Sequence, residues 1–367
     1  MGKKYSKDAD LPPPFRKGSS HQYDKIFGSY RIDTSEIDSK LQDKSIKNVF
    51  VQLPEGLQQY AIEIKDWFEK TYEIIIVLDA LPNYGACDLP SEQILQQLEV
   101  HAVIQIGHLP IPSMNVDQFT IPIFFVNAKS TLSVSSVVNK SISKLSGTHI
   151  GLISTAQHLH QIDEIKDLLE KNSFSVVIGT GDNRLFFPGQ VLGCNFTTAT
   201  SIADEIDSFL FVGTGFFHPL GLLLATDKPV VIADPYTNQV IDSASLKEKK
   251  QQLLRQRYGA IAFAKQAKII GVLLGLKPGQ MRNDYALKLH ELIQNAGKQC
   301  LLLATDIVTP NLVDRFPHID VFVSTACPRI AIDDYTSFKK PILTPIELEV
   351  ALQQKDWDEY VFDEIYG

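Results

Sequence analysis

Three of the four cysteines lie in loops marked by glycine or proline, one in each third of the 367-residue chain. They are Cys87, Cys194 and Cys327, and each lies near the expected start of a helix, where the metal-binding thiolate is favoured. A single free cysteine is usually a small buried hydrophobe. Three of them in comparable loops predict a shared metal site. Cys300 lies inside a leucine-rich strand instead, and we expect it in the core.

Three thiolates without a fourth ligand suit two kinds of metal centre. Zinc can bind three cysteines and one water, and a 4Fe-4S cluster held by three cysteines leaves one iron open for a substrate. The chain has no C-x-x-C pair, so zinc-ribbon and thioredoxin motifs are absent from the sequence. The cysteines alone leave zinc and iron–sulfur chemistry both open.

The loop Ser324–Asp334 concentrates further chemical groups around Cys327. It contains a proline, the guanidinium of Arg329, and the carboxylates of Asp333 and Asp334. A hydrophobic core needs none of these groups at that place. The loop is therefore predicted to belong to a site rather than to be a simple connection.

The elements that would position these loops recur three times. Each unit has an apolar strand, a polar loop, an amphipathic helix and three further apolar strands. The first strands of the units are expected at Val49–Leu53, Ile150–Ile153 and Ile269–Leu274, and the fourth at Ile121–Val126, Val230–Ala233 and Ile342–Leu343. Continuous apolar strands separated by helices are typical of parallel sheets that are covered on both faces.

This recurrence predicts an α/β fold of three similar domains, each with a mostly parallel sheet of about four strands flanked by helices, arranged around a central site. We expect the domains at residues 41–145, 146–255 and 256–367, after an N-terminal extension over residues 1–40. Ligands of open α/β sheets collect at the carboxyl ends of the strands. In the second unit, His218 takes the place that Cys327 takes in the third, which makes it a candidate site residue.

The composition limits the classes of function. The chain is 44% hydrophobic and 21% charged, as soluble globular proteins are, and its net charge of −8 argues against nucleic-acid binding over its whole surface. No apolar run approaches the roughly 18 residues of a membrane span, and no secretory signal is recognisable. The few cysteines predict a reducing cytosol. The basic segment 247–268 is expected to be a solvated helix joining two domains, with a docking patch for an acidic partner as the alternative.

Together the loops resemble the diphthamide synthase family, the 2-(3-amino-3-carboxypropyl)histidine synthases, in its archaeal single-subunit form. The resemblance runs from about residue 45 to the end, and the segments that carry it are Gln52–Leu57, Tyr84–Asp88, Gly189–Cys194, Phe211–Pro219, Asp234–Tyr236, Gly275–Gln280, Ser324–Asp334 and Leu343–Glu347. The resemblance implies that Cys87, Cys194 and Cys327 hold a 4Fe-4S cluster and that its open iron meets S-adenosylmethionine.

The resemblance also implies a reaction and partners. In this family the reduced cluster cleaves a C–S bond of S-adenosylmethionine, which gives methylthioadenosine and a 3-amino-3-carboxypropyl radical. The radical adds to a histidine of translation elongation factor 2 in the first step of diphthamide synthesis. A cytoplasmic radical transferase is therefore expected, with elongation factor 2 as its protein substrate, a reductase or other electron donor, and a homodimeric assembly.

On this resemblance, the charged loop could hold the amino-acid end of S-adenosylmethionine. Arg329 could pair bidentately with the methionine carboxylate, and Asp333 or Asp334 could accept hydrogen bonds from its ammonium group. Gln280 and His218 are further candidate contacts. The alternative is an ion pair between Arg329 and one of the two aspartates that only braces the loop.

Two other functions are compatible with part of this pattern. Quinolinate synthase, a dehydratase, also resembles three α/β repeats around a three-cysteine 4Fe-4S cluster, although the loop sequences favour the diphthamide synthase family. The other is a non-catalytic partner subunit with the same fold. Retention of all three loop cysteines argues against that second alternative.

Overall fold

Three sheets with closely related strand orders organise residues 23–81 and 83–365, which are the residues that the computed structural model describes. When the strands of each sheet are numbered along the chain, the order is 2-1-3-4 in the first and third sheets and 2-1-3-4-5 in the second, where a fifth strand is added at the edge. The predicted α/β fold is therefore confirmed. Connections leave strands 1 and 3 in opposite directions, and this opens a crevice for ligands at the carboxyl edge of each sheet.

The chain that precedes the first of these sheets is folded. Strands β1 (Asp24–Phe27) and β2 (Tyr30–Asp33) form an antiparallel hairpin, which helix α1 (Asp38–Leu41) follows. The expected extension over residues 1–40 needs correction from residue 24 onward, because Phe27 and Ile32 are buried in the first core. Residues 1–22 lie outside the described residues.

The first sheet has the order β4-β3-β5-β6, and all its pairs are parallel. Its strands are β3 (Asn48–Gln52), β4 (Ile75–Leu78), β5 (Ala102–Ile106) and β6 (Ile123–Val126), and its helices are α2 (Glu55–Gln58), α3 (Ala61–Tyr72) and α4 (Glu92–Gln97). Helix α3 buries Ile64 and Phe68 against the sheet. Strand β7 (Ala128–Ser130) then pairs with β2, so the hairpin is tied to this domain.

The second sheet has the order β12-β11-β10-β8-β9, in which only the β11–β12 pair is antiparallel. Its strands are β8 (His149–Ser154), β9 (Ser175–Val177), β10 (Ser208–Val212), β11 (Val230–Asp234) and β12 (Gln239–Ile241), and its helices are α5 (Ser135–Ser141), α6 (Ile162–Lys171), α7 (Thr197–Thr200), α8 (Phe217–Thr226) and α9 (Ser243–Gln266). Strands β10 and β11 are buried along their whole length, because helices cover both faces.

The third sheet has the order β14-β13-β15-β16 and is parallel throughout. Its strands are β13 (Ile269–Gly275), β14 (Gln299–Thr305), β15 (Val321–Ser324) and β16 (Ile342–Leu343), and its helices are α10 (Asn283–Asn295), α11 (Pro310–Asp314), α12 (Arg329–Ile332) and α13 (Pro345–Ala351). Within the described ranges, no helix combines the length and the apolar character that a membrane crossing needs.

Packing shifts both internal domain boundaries from their predicted places. Helix α5 lies before residue 145 but packs against α6 and β11, with Val137 and Val138 in the core of the second domain. The boundary expected at residue 255 falls inside α9, which is one continuous helix in contact with both α8 and α13. An unbroken helical pattern offers no sequence signal for a boundary inside it.

Helix α9 also contains most of the basic segment that was expected to be solvated. That expectation is wrong for one of its arginines, Arg257. Arg257 is 2% exposed, and its Nε and Nη2 donate to the two carboxylate oxygens of Glu347 at 2.7 and 2.5 Å. Its Nη1 and Nη2 also donate to the carbonyls of Ala331 and Ile342, each at 2.7 Å. Glu347 forms the capping box of α13 with Thr344, so Arg257 fastens α9 to the third domain.

Candidate functional site

Cys87 lies in the loop between β4 and α4, and hydrogen bonds hold that loop closed. The backbone N–H of Asp88 donates to the carbonyl of Gly85, and that of Tyr84 donates to Oδ2 of Asp88, each at 2.9 Å. Gln52, at the end of β3, donates its Nε2 to the carbonyl of Asp88 at 2.9 Å. The thiol is therefore fixed at the carboxyl edge of the first sheet and is 9% exposed.

The loop that follows β13 packs directly on Cys87. Lys277 forms a buried ion pair with Asp88. Gly279 lies so close that an added Cβ would come within 2.5 Å of the Cα of Cys87, so glycine is required there. Gln280 is 4% exposed, and its Nε2 lies 3.6 Å from the Sγ of Cys87. The third domain thus supplies one wall of the Cys87 site.

Cys194 lies at the tip of a tight turn in the second domain. Leu192 and Asn195 exchange two backbone hydrogen bonds of 3.2 Å on either side of the turn. The side chain of Asn195 donates to Asp182 at 2.9 Å, and Arg184 donates to the same carboxylate from Nε and Nη2 at 2.9 and 2.6 Å. This buried polar network fixes the turn that presents Cys194.

Cys327 lies between β15 and α12, and it is 9% exposed. Thr325 continues the sheet by donating its N–H to the carbonyl of Leu273 at 3.0 Å. The carbonyl of Cys327 accepts the N–H of Ile330 at 3.2 Å, so the cysteine opens the first turn of α12. Cys87 and Cys194 follow second strands of their sheets, whereas Cys327 follows a third strand.

The structure brings the three thiols of Cys87, Cys194 and Cys327 into one electrostatic neighbourhood. Burial raises the pKa of Cys327 well above its usual value, and the nearby Cys87 and Cys194 raise it further. Burial likewise raises the pKa of Cys87 to about 12 and that of Cys194 to about 11. Metal binding must therefore displace protons from all three. The half-buried Cys300 lies apart on β14, and burial alone raises its pKa to about 11.

A cavity of about 230 Å³ adjoins two of these thiols, and Cys87, Cys194, Arg184, Arg282 and Ile365 are among the residues that line it. Across residues 23–81 and 83–365, no group of three His, Cys, Asp or Glu side chains is arranged to hold a single metal ion. A cluster of four irons is wider than one ion, so its cysteines stand farther apart. Two thiols beside a cavity, with that of Cys327 nearby, are compatible with a 4Fe-4S cluster held by three cysteines.

A second cavity, of about 500 Å³, lies where loops of all three domains meet. Its walls come from the loops after first and third strands, and they include Pro54, Gly107, Thr155, His158, Thr214, His218, Arg329 and Asp333. Those loops flank the point where the connections of each sheet diverge, which is where α/β proteins bind ligands. The residues that line this cavity do not, within the described ranges, include Gln280, which contacts Cys87 instead.

The two carboxylates near Arg329 have different hydrogen-bond partners. Nε of Arg329 donates to Asp333 at 2.9 Å, and the guanidinium lies 5.4 Å from the ring centroid of Phe217. Asp334 accepts a hydrogen bond of 3.3 Å from the hydroxyl of Tyr84 in the first domain. Asp333 therefore faces the cavity with Arg329, whereas Asp334 joins two domains. The ion pair that braces the loop is therefore present. It uses Nε of Arg329, so the two terminal nitrogens can still bind a carboxylate.

His218 lies at the start of α8 in the wall of the 500 Å³ cavity. Its ring stacks on Phe211 with 6.2 Å between centroids and meets Phe217 edge to face at 5.7 Å. Burial and, to a smaller extent, the positive charge of Arg329 lower the pKa of His218 to about 4. The imidazole is therefore neutral at neutral pH.

Three residues of the site were missed in the sequence. Lys277 and Arg184 brace the loops of Cys87 and Cys194 through carboxylates, and the local sequence around them gives no sign of it. The third is His108. Burial and the nearby positive charge of Arg329 together lower the pKa of His108 to about 4. His108 follows the third strand of its sheet, as His218 and Cys327 do, so its repeat position was the signal.

Comparison with known proteins identifies the family. The model of the diphthamide synthesis proteins matches residues 53–361. The 2-(3-amino-3-carboxypropyl)histidine synthase of Pyrococcus horikoshii is 37% identical over 344 residues, which cover 92% of this chain and 94% of that protein. Subunit 1 of the Mus musculus synthase is 28% identical over 335 residues, which cover 90% of this chain and 74% of that protein.

A solved structure extends the similarity to the whole fold. The crystal structure of Dph2 from Pyrococcus horikoshii with a 4Fe-4S cluster matches with a TM-score of 0.79 at 36% identity. The match covers 92% of this chain and 94% of that one. By family match, sequence identity and shared fold, the chain belongs to the family of diphthamide synthesis proteins.

Proposed function

We propose that the chain transfers the 3-amino-3-carboxypropyl group of S-adenosylmethionine to a histidine of elongation factor 2, in the first step of diphthamide synthesis, and that Cys87, Cys194 and Cys327 hold its 4Fe-4S cluster. The activity carried by the names of the related synthases and the cluster of the matching Dph2 structure support this. The observation that carries it is the convergence of three thiols, one from each domain, of which those of Cys87 and Cys194 line a cavity. Family membership also favours the synthase over the dehydratase alternative.

The residues around the cysteines would hold and tune the cluster. When bound, a 4Fe-4S cluster supplies the electron that breaks a C–S bond of S-adenosylmethionine. Gln280 donates toward the sulfur of Cys87, and hydrogen bonds to ligand sulfurs influence the reduction potential. Lys277 and Arg184 keep the carboxylates beside the cysteines paired, so that the buried negative charge near the thiolates is compensated.

The residues of the 500 Å³ cavity would orient the substrate. Arg329 presents its terminal nitrogens to the methionine carboxylate, and Asp333 accepts from the ammonium group. His218 is neutral at neutral pH, so it adds no positive charge that would repel the sulfonium. Gln280 contributes through Cys87 rather than through the substrate.

The deciding experiment identifies the nucleoside that the enzyme releases. Anaerobic protein reconstituted with iron and sulfide is mixed with dithionite and S-adenosylmethionine, with and without elongation factor 2. We expect methylthioadenosine, together with a mass increase on elongation factor 2 equal to one 3-amino-3-carboxypropyl group. Release of 5′-deoxyadenosine alone would contradict the proposal.

Cysteine variants test the ligand set. Changing Cys87, Cys194 or Cys327 to Ala should abolish the brown colour and most of the bound iron and sulfide, because three ligands are needed around the cluster. Cys300→Ser is the matched control, and it should keep the full iron content. A colourless, zinc-loaded wild-type protein would overturn the cluster assignment.

We propose further that two copies of the chain form a homodimer. Edge strand β14 exposes Leu301 and Leu302, at 38% and 41%, and exposed apolar edge strands are typical sites of association. Leu302→Lys should halve the mass measured by sedimentation, whereas Ile62→Lys, at an exposed position of α3, should leave the mass unchanged. A wild-type monomer at micromolar concentration would contradict this assembly.

The remaining partners follow from the reaction. A one-electron donor such as a reductase must bring the cluster to its reduced state, because the chain itself does not generate the electron that cleaves the C–S bond. The proposed location is the reducing cytoplasm, where elongation factor 2 works and where free thiols persist.

A further inference from the structure

The segment Val361–Ile365 returns from the third domain to the cysteine cavity, and aromatic side chains anchor its beginning. Phe362 is 3% exposed and stacks on Phe217 of the second domain, with 5.2 Å between ring centroids and 23° between planes. Just before the segment, the hydroxyl of Tyr360 donates to Glu347 at 2.9 Å. The path of the chain toward the cavity is therefore fixed by packing.

Two arginines from different domains hold the rest of the segment. Arg282 of the third domain forms a bidentate ion pair with Asp363, in which Nη2 lies 3.0 Å from Oδ1 and Nη1 contacts Oδ2. Arg184 of the second domain donates from Nη2 to Glu364 at 2.9 Å and from Nη1 to the carbonyl of Ile365 at 3.1 Å. Asp363 is 2% exposed and Arg184 is 5% exposed, so these are buried contacts.

The same segment forms a wall of the cysteine cavity. Ile365, Arg184 and Arg282 line it together with Cys87 and Cys194. The segment thus lines the space beside two of the proposed cluster ligands.

We propose that Asp363–Ile365 is a strap that closes the cysteine cavity to solvent. Solvent access influences the stability and the reduction potential of iron–sulfur clusters. The strap therefore shields the site, and Arg184 and Arg282 are its two anchors. Its effect on the cluster rests on the proposed function, whereas closure over Cys194 does not.

Closure is tested in the metal-free protein by the rate at which iodoacetamide alkylates Cys194, followed by peptide mass spectrometry under reducing conditions. The double variant Asp363→Asn/Glu364→Gln removes both carboxylates that the arginines hold. We expect alkylation to be about tenfold faster or more, because removing one partner of a buried ion pair shifts a local opening equilibrium by at least that factor.

The controls separate opening of the strap from loss of the fold. Asp358→Asn makes the same chemical change at an exposed position just before the segment, and it should leave the rate at Cys194 unchanged. Cys300 is an internal reference, whose rate should be equal in all variants. An unchanged rate at Cys194 in the double variant would overturn the strap.

The test also separates this proposal from the proposed function. Failure of the wild-type protein to hold a cluster would count against the proposed function, and the alkylation rates in the metal-free protein would still decide closure.

Discussion

Arg329 combines, in one side chain, the two roles that its sequence context left as alternatives. Its Nε braces α12 through Asp333, while the side chain lies against the ring of Phe217 in the wall of the larger cavity. A lysine would bring the positive charge but not the planar fork that meets a carboxylate with two parallel hydrogen bonds. The geometry of the guanidinium, and not its charge alone, matters at this position.

The corresponding prediction concerns affinity for S-adenosylmethionine. Arg329→Lys should weaken binding to the cluster-loaded enzyme by about 1.5–3 kcal/mol, the usual range for hydrogen bonds to charged groups. Isothermal titration calorimetry under anaerobic conditions measures the change. Arg315→Lys, at an exposed position of the same domain, serves as control. Equal affinity of Arg329→Lys and wild type would assign Arg329 to bracing only.

Among the elements, α9 links the second and third domains through a buried charge. Arg257 has a carboxylate and two carbonyl groups as acceptors, and Glu347 is also bonded to Tyr360 and to the first turn of α13. Such a pair holds elements in one arrangement because its members cannot separate without leaving a charge buried and uncompensated. The position of α13 and of the chain that follows it therefore depends on α9.

Arg257→Gln should lower the free energy of unfolding by about 3–5 kcal/mol, since it leaves Glu347 buried without its partner. Urea denaturation of the metal-free protein measures this change. The same helix offers a matched control two residues away, because Arg255→Gln alters an exposed arginine and should change stability by less than about 0.5 kcal/mol. Equal losses in the two variants would show that the buried pair does not stabilise the fold.

For the whole molecule, the seam between the first and second domains contains a buried histidine. His158 is 1% exposed, and its Nδ1 lies 3.0 Å from the side-chain oxygen of Gln161. The adjacent Gln157 donates to the carbonyl of Gly107, and its own carbonyl accepts the N–H of Ser130, so this segment bridges the domains. Burial lowers the pKa of His158 below its ordinary value of 6.5.

This lowered pKa makes stability depend on pH. Below pH 6.5 the unfolded chain binds a proton at His158 that the folded chain does not, so the free energy of unfolding should fall as the pH is lowered past 6.5. His158→Gln should remove part of that slope in denaturation curves recorded at successive pH values. His290→Gln, on the partly exposed face of α10, should retain it. Identical slopes in His158→Gln and wild type would contradict this assignment.

The sequence predicted features that depend on local patterns, and it missed features that depend on contacts between residues far apart in the chain. Apolar strands, amphipathic helices and the cysteine loops are local patterns. Their threefold recurrence made the fold predictable, and it led to the choice of the three cysteines as proposed ligands. The contact of Arg184 with Ile365 joins residues 181 positions apart, and no local pattern marks it. The direction of Gln280 toward Cys87 depends likewise on how closely Gly279 lets the third domain approach the first. Long-range packing of this kind required the structure.

The three cysteines do not all follow the same strand of their sheets, and this bears on how the three domains could have evolved. The shared 2-1-3-4 strand order is what repeated duplication of one gene segment would leave behind. Had that ancestral segment already carried a ligand, its copies would present cysteine after the same strand, yet Cys87 and Cys194 follow second strands and Cys327 follows a third. If the three domains arose in this way, the proposed ligands Cys87, Cys194 and Cys327 entered the chain after the duplications and not with the ancestral segment.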